Sequence, residues 1–102
     1  MSSHGARQLE SAPAPISVLP AIRAAVGDAF PLFFDSGLRS GEDVLKALNE
    51  GADFAFFGRS LQFAIAAAGE AGLEQLWDVF TDELSIGMAQ TGNTSVNGLY
   101  RA

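Results

Sequence analysis

The sequence predicts an α/β fold built on parallel strands. Two short apolar runs, Pro31-Leu32-Phe33-Phe34 and Phe54-Ala55-Phe56-Phe57, lack the polar–apolar alternation of a half-solvated strand. Each is stopped by a glycine turn, Asp35-Ser36-Gly37 after the first and Gly58-Arg59 after the second. Strands that are apolar at successive positions suit burial on both faces, as in a parallel sheet. A helix-patterned segment lies between them, so the unit reads as a βαβ crossover, right-handed by the general chirality of such connections.

The elements follow in order. The first twenty residues carry Pro13, Pro15 and Pro20 and read as a loop. Residues 21–26 read as a short helix ended by Gly27-Asp28. After the first strand, Ser40-Gly41-Glu42-Asp43 supplies helix-start residues for a helix over 44–49. Its inner face is Val44, Leu45 and Leu48, and Gly51 stops it. The second strand leads to a small-residue helix over 61–68, then to Gly69-Glu70-Ala71-Gly72 and a last long helix from about Leu73. Leu73, Leu76, Trp77, Phe80, Leu84 and Met88 recur there at helical spacing and read as core packing. Glu74, Asp78, Asp82 and Glu83 fall mostly off that stripe and read as a solvated face, and Gly92-Asn93 ends the helix. Two parallel strands with helices on one side leave open edges and an uncovered apolar face. The segment is therefore expected to belong to a larger sheet.

Composition narrows the function classes. At 102 residues the chain is one domain at most, and 48% hydrophobic residues are too many for a disordered tail. Twelve acidic against six basic side chains, with no Lys/Arg cluster, argue against a nucleic-acid partner. The absence of cysteine excludes disulfides and thiolate metal sites, and a single histidine argues against a conventional zinc site. No apolar stretch reaches the roughly 20 residues of a membrane span, and the start lacks a basic-then-apolar signal pattern. A cytoplasmic location is the expectation, with targeting left open if the N-terminus is missing.

Three motifs carry chemistry. In Ser2-Ser3-His4-Gly5-Ala6-Arg7-Gln8-Leu9 the only histidine stands three residues before an arginine. Arg7 suits a small carboxylate, which a guanidinium grips by two parallel hydrogen bonds, and His4 suits proton removal from the adjacent carbon or hydroxyl. Asp35-Ser36-Gly37-Leu38-Arg39-Ser40-Gly41 and Gly58-Arg59 each join strand-end glycines to an arginine, a pattern that brings backbone N–H groups and charge to an anion. Singly, each motif also reads as a tight turn with a solvated arginine, His4 as an ordinary histidine and Asp35 as a turn or cap residue. Together they match a (β/α)₈ barrel, whose loops after the last two strands commonly hold a phosphate.

Ser-Ser-His-Gly-Ala-Arg-Gln-Leu-Glu at the start closely resembles the signature of the FMN-dependent α-hydroxy-acid oxidases and dehydrogenases. That family includes glycolate oxidase, L-lactate dehydrogenase, lactate monooxygenase and mandelate dehydrogenase. The resemblance continues, in order and spacing, through Asp-Ser-Gly-Leu-Arg-Ser-Gly, Gly-Ala-Asp-Phe-Ala-Phe-Phe-Gly-Arg, Gly-Glu-Ala-Gly-Leu-Glu and Asp-Glu-Leu-Ser-Ile-Gly-Met-Ala-Gln-Thr-Gly, to about Val96. It implies FMN as cofactor and a small L-2-hydroxy acid as substrate, oxidised to the 2-oxo acid. It implies His4 as catalytic base and Arg7 as the substrate-carboxylate ligand, with both in contact with substrate. Ser2 would meet the flavin at the end of a sixth strand. Asp35, Ser36, Gly37, Leu38 and Arg39 would hold the ribityl chain and phosphate, with Gly58 and Arg59 completing the cradle.

The fold then implied is the C-terminal portion of a (β/α)₈ barrel, βα units 7 and 8 plus the final helix, incomplete as a barrel. Residues 1–20 form its active-site loop, 21–59 a helix and the βαβ unit, 60–96 the C-terminal helices and 97–102 a tail. A whole barrel needs about 250 residues. The family's active-site tyrosines, flavin-side lysine, histidine-paired aspartate and second carboxylate-binding arginine would all precede this segment, and Tyr100 matches none of them. Met1 stands where the family has an apolar strand residue, which suggests a truncated reading frame or an excised piece. Homo-oligomerisation is a family expectation for the full-length enzyme, and the isolated chain is expected to be inactive. One alternative is a non-catalytic βα module that binds an anion or assembles with itself or with the missing portion. Another FMN barrel class, acting on purine nucleotides or isoprenoids, shares the phosphate site, and the His4/Arg7 pair argues against it.

Overall fold

The computed structural model describes residues 1–97 and 99. A single turn at His4–Ala6 precedes helix α1 (Pro15–Val26), strand β1 (Phe33–Asp35), helix α2 (Gly41–Asn49), strand β2 (Phe54–Phe56) and helix α3 (Arg59–Gln90). The strands pair in parallel, with Phe33 opposite Phe54, Phe34 opposite Ala55 and Asp35 opposite Phe56. The predicted βαβ unit is present. Among the described residues the sheet has two strands, and no barrel closes.

Met1 extends the ladder at the other edge of β1. Its amino group donates to the Phe33 carbonyl (2.6 Å), and its own carbonyl accepts from Asp35 N–H (2.9 Å). Bonding to both neighbours of the opposite residue is the parallel pattern. Met1 thus takes the place of a third parallel strand.

Helix α1 starts at Pro15 rather than near Ala21, so the second part of the expected N-terminal loop is helical. Pro15 occupies the first helical position, where its missing N–H costs nothing and its φ is pre-set. Pro20 lies inside the helix and forfeits one backbone bond. Leu19, fully buried, and Arg23, one turn later and also buried, anchor the helix on either side of it.

Phe34 and Leu19 form a core with Leu32, Leu38, Ala47 and Ala52 on one face of the sheet. On the other face Phe33, Phe54 and Phe56 are about half exposed and pack ring against ring, with centroids 5.0–5.8 Å apart. The expectation of strands buried on both faces is met on one face only. The second apolar face carries no layer among the described residues.

Ser40 caps α2, its hydroxyl accepting from Asp43 N–H at 3.0 Å, and Glu42 and Asp43 sit in the first turn where the helix dipole favours them. Leu45 and Leu48 of α2 pack with Leu99 and with Leu84 and Met88 of α3. Gly41 permits the close crossing, because a Cβ there would lie 2.1 Å from the Phe80 carbonyl oxygen. The backbone of α3 breaks at Ala68 (φ −155°) and Gly69 (φ 58°), the junction expected between the two C-terminal helices. Of the apolar stripe, Phe80 is buried against Phe57, and Leu84 and Met88 are half-buried, whereas Trp77 is 68% exposed. Trp77 is therefore not core here; with Phe57, Leu61, Leu73 and Leu76 it lines an open groove of about 500 Å³. Tyr100 lies outside the described residues.

One charged group ties the elements together at the entry to the strands. Arg23 donates to the carbonyls of Gly51 (2.7 Å), Gly27 (2.8 Å) and Phe30 (2.8 Å) and to Asp53 Oδ2 (2.5 Å). Asp53 in turn accepts from Leu32 N–H (2.9 Å), while its own N–H donates to the Leu32 carbonyl (2.8 Å). Arg23→Met removes the donor to three carbonyls and the charge beside Asp53. It should cost about 3 kcal/mol or more, because three carbonyls lose the donor that the buried Arg23 supplies, whereas Asp53 is more than a third exposed and hydrated. Lys46→Ala, which breaks an exposed pair with Glu42, should cost no more than about 0.5 kcal/mol. Urea unfolding of the two variants compares them; equal midpoints would show that Arg23 does not hold the strands.

Candidate functional site

The parallel register places the end of β1 beside the end of β2, and the segments that leave them meet the N-terminal turn. There Ser3, His4, Gly5, Ala6 and Arg7 line one wall of a concavity of about 400 Å³. The loop Asp35-Ser36-Gly37-Leu38-Arg39 forms a second wall, and Phe57, Gly58, Arg59 and Gln62 a third. Every residue singled out from the sequence except Ser2 lines this space. Ser2 stands just behind it, with its hydroxyl donating to Asp35 Oδ2 at 2.6 Å.

Electrostatics set this concavity apart. Three of the six basic side chains, Arg7, Arg39 and Arg59, gather around it in a chain of net charge −6. Among the described residues none of the three forms an ion pair, whereas Arg23 and Lys46 do. Helix α3 also begins here, with Gly58 before its first turn and no side-chain cap among the described residues. Its first i,i+4 backbone bond is Gln62 N–H to the Gly58 carbonyl (3.1 Å), so the preceding N–H groups have no intrahelical acceptor. Unpaired guanidiniums and an uncapped helix N-terminus are the features that favour an anion. Helix α2 differs, because Ser40 already serves its start.

The loop at 35–39 divides its work. Leu38 is buried in the core, so only its backbone belongs to the concavity in a polar sense. Arg39 N–H donates to Asp43 Oδ2 (3.0 Å), which fixes the backbone and leaves the guanidinium without an acid partner. Gly37 has φ +79°, and a Cβ there would meet nothing within 4 Å, so the loop is open on that side.

The N-terminal turn is strained. His4, Gly5 and Ala6 have φ of 53°, 62° and 63°, a left-handed stretch closed by Ala6 N–H to Ser3 O (3.1 Å) and Arg7 N–H to His4 O (3.2 Å). Glycine adopts this freely, and histidine tolerates it better than most residues. Left-handed backbone costs about 1–2 kcal/mol at each non-glycine position. A Cβ on Gly5 would lie 3.3 Å from Arg59 Nη2, so the turn and the start of α3 are close neighbours. His4 and Arg7 are both exposed, and His4 Nδ1 lies 3.3 Å from Gln8 Nε2. Gln8 and Gln62 were not singled out from the sequence. Gln62 stands three residues after Arg59, and that helical spacing was the available signal.

An anion-binding site of this kind stabilises the fold by mass action, by about 1.4 kcal/mol at ten times the dissociation constant. Inorganic phosphate should therefore raise the thermal midpoint of the chain above that in chloride of equal ionic strength. The rise should disappear in the Arg39→Ala/Arg59→Ala double variant and persist in Lys46→Ala. An equal rise in all three proteins would mean that phosphate acts elsewhere.

Comparison with known proteins identifies the family. The family model for FMN-dependent dehydrogenase matches residues 1–102. An L-lactate oxidase of Alicycliphilus denitrificans is 46% identical over 92 residues, 90% of this chain and 25% of that protein. Glycolate oxidase 5 of Oryza sativa subsp. japonica is 45% identical over 101 residues, 99% of this chain and 27% of that protein. Among solved structures, a lactate oxidase of Pediococcus acidilactici superposes with a TM-score of 0.92 at 38% identity, over 98% of this chain and 28% of that one. A mandelate oxidase with benzoyl-formic acid gives 0.92 at 41% identity, over 98% and 30%. The chain thus spans about a quarter of the curated relatives it matches, within flavoenzymes of the barrel fold. With its whole length matched by the family model, the chain belongs to the FMN-dependent dehydrogenase family.

Proposed function

We propose that this chain supplies the FMN phosphate site and the substrate-facing His/Arg pair of an FMN-dependent 2-hydroxy-acid oxidoreductase, as the last two βα units of its barrel. The carrying observation is the gathering of Arg7, Arg39 and Arg59, without acid partners, around one concavity that also holds His4. The donor set fits a phosphate monoester. Arg39 and Arg59 bring guanidiniums, the start of α3 brings free N–H groups, and the glycines at 37 and 58 leave room, since a Cβ at either would meet nothing within 4 Å. Asp35, with one oxygen held by Ser2, keeps the other for a polyhydroxy chain such as ribityl.

FMN, when bound, would accept the two electrons of the oxidation. Arg7 would hold the substrate carboxylate through two parallel hydrogen bonds and so fix which face of the α-carbon is presented. His4 would take the proton released from the substrate's hydroxyl or α-carbon. The substrate is a small 2-hydroxy acid of the lactate, glycolate or mandelate type. The uncovered Phe33–Phe54–Phe56 face and the open edge of β2 fit a segment that completes its barrel with further strands.

Two measurements separate the assigned roles. FMN should bind the chain at least about tenfold more tightly than riboflavin, which lacks the phosphate, because charge-assisted hydrogen bonds are worth about 1.5–3 kcal/mol each. Arg39→Ala should remove that preference and His4→Gln should not; equal affinity for the two flavins would contradict the phosphate assignment. In a full-length protein carrying this segment, His4→Gln should retain FMN yet slow flavin reduction by about 10²–10⁴-fold, the usual worth of a positioned base. Reduction at the normal rate would remove His4 from the chemistry.

A further inference from the structure

Ser36 stands out because it holds a conformation that serine disfavours. Its φ is +108°, in the region where glycine would be unstrained. Its hydroxyl has an unusual set of neighbours. It accepts from Ser3 N–H at 3.0 Å and from Gly5 N–H at 3.4 Å, and it lies 3.3 Å from Ser2 Oγ.

A count of donors and acceptors gives these contacts a direction. A serine hydroxyl offers one hydrogen and two lone pairs. Ser2 gives its hydrogen to Asp35 Oδ2 (2.6 Å) and accepts from His4 N–H (2.9 Å). It has one lone pair left, so Ser36 must be the donor in the Ser36–Ser2 contact. Ser36 then fills both of its own lone pairs with the N–H groups of Ser3 and Gly5. Both hydroxyls are fully used, and neither is left over for a ligand.

We propose that Ser36 is a positioning residue rather than a cofactor ligand. Its hydroxyl, at the end of β1 and one residue from Gly37, holds the strained left-handed turn that carries His4 and Arg7. The loop that would bind phosphate and the turn that would bind substrate are thereby one hydrogen-bonded unit. Ordering the loop around FMN orders the turn as well, so the substrate-facing pair is set by cofactor occupancy. This rests on the assignment of the 35–39 loop to FMN.

Amide hydrogen exchange on the chain tests it with two variants. Ser36→Ala removes the acceptor and keeps the strain, while Ser36→Gly removes both. If the hydroxyl holds the turn, the Ser3 and Gly5 amides should exchange at least about tenfold faster in both variants, even where the glycine variant is the more stable protein. The Asp53 amide, which donates to Leu32 in the core, should exchange no faster in Ser36→Gly. Adding FMN to the wild type should slow exchange at Ser3 and Gly5. At saturating FMN neither variant should show that slowing. Unchanged exchange at Ser3 and Gly5 would overturn the proposal, as would faster exchange that merely tracks the Asp53 amide. Failure of the wild type to bind FMN would refute the reading of the 35–39 loop instead, and the exchange rates without FMN would still decide what Ser36 does.

Discussion

The structure depends on the Arg23–Asp53 contact. Arg23 reaches from α1 to the loops that enter both strands, and Asp53 clamps Leu32 through its side chain and its backbone. A parallel pair has no tight hairpin to set its register. Here the register is set at one end by this clamp. Because side chains alternate along a strand, it also decides which residues reach the opposite end together. A slip by one residue would turn Phe34 out of the core and move Asp35 away from Ser2. The ion pair lies at the strand entrances and the concavity at the strand exits, and β1 and β2 transmit one to the other.

Several unusual features meet at the strand exits. Among the described residues, three guanidiniums lack acid partners, α3 starts without a side-chain cap, and His4, Ala6 and Ser36 hold positive φ. The positive φ values cost stability, and all of these features border one space. Strained backbone gathered at one place is a common mark of a functional site. The N-terminal turn is held to the 35–39 loop by two serine hydroxyls and a carboxylate, so the two sides of the site form one hydrogen-bonded unit.

Much of this was legible in the residues. The apolar runs gave both strands, Ser40 with Asp43 gave the start of α2, and the glycine–arginine pairs marked the loops that line the concavity, because each signal is local in sequence. What stayed hidden is non-local. Prolines at 13, 15 and 20 argue for a loop, yet Leu19 and Arg23 anchor a helix through contacts distant in sequence. Arg23 in an alanine-rich stretch looks like any solvated arginine; its burial depends on carbonyls at 27, 30 and 51. Trp77 fits the apolar stripe by spacing, but no described element covers it. The contacts of the Ser36 hydroxyl were hidden as well, because the amides that use it lie more than thirty positions earlier.

FMN is proposed to enter the concavity at the strand exits. Backbone amide shift mapping during an FMN titration tests it most directly. The account predicts that the largest changes fall at residues 36–39 and 58–61, with smaller ones at 3–7. Changes centred instead on the Trp77 groove or on the Phe33–Phe54–Phe56 face would mean that the flavin ring is merely adsorbing to exposed apolar surface, and would contradict it.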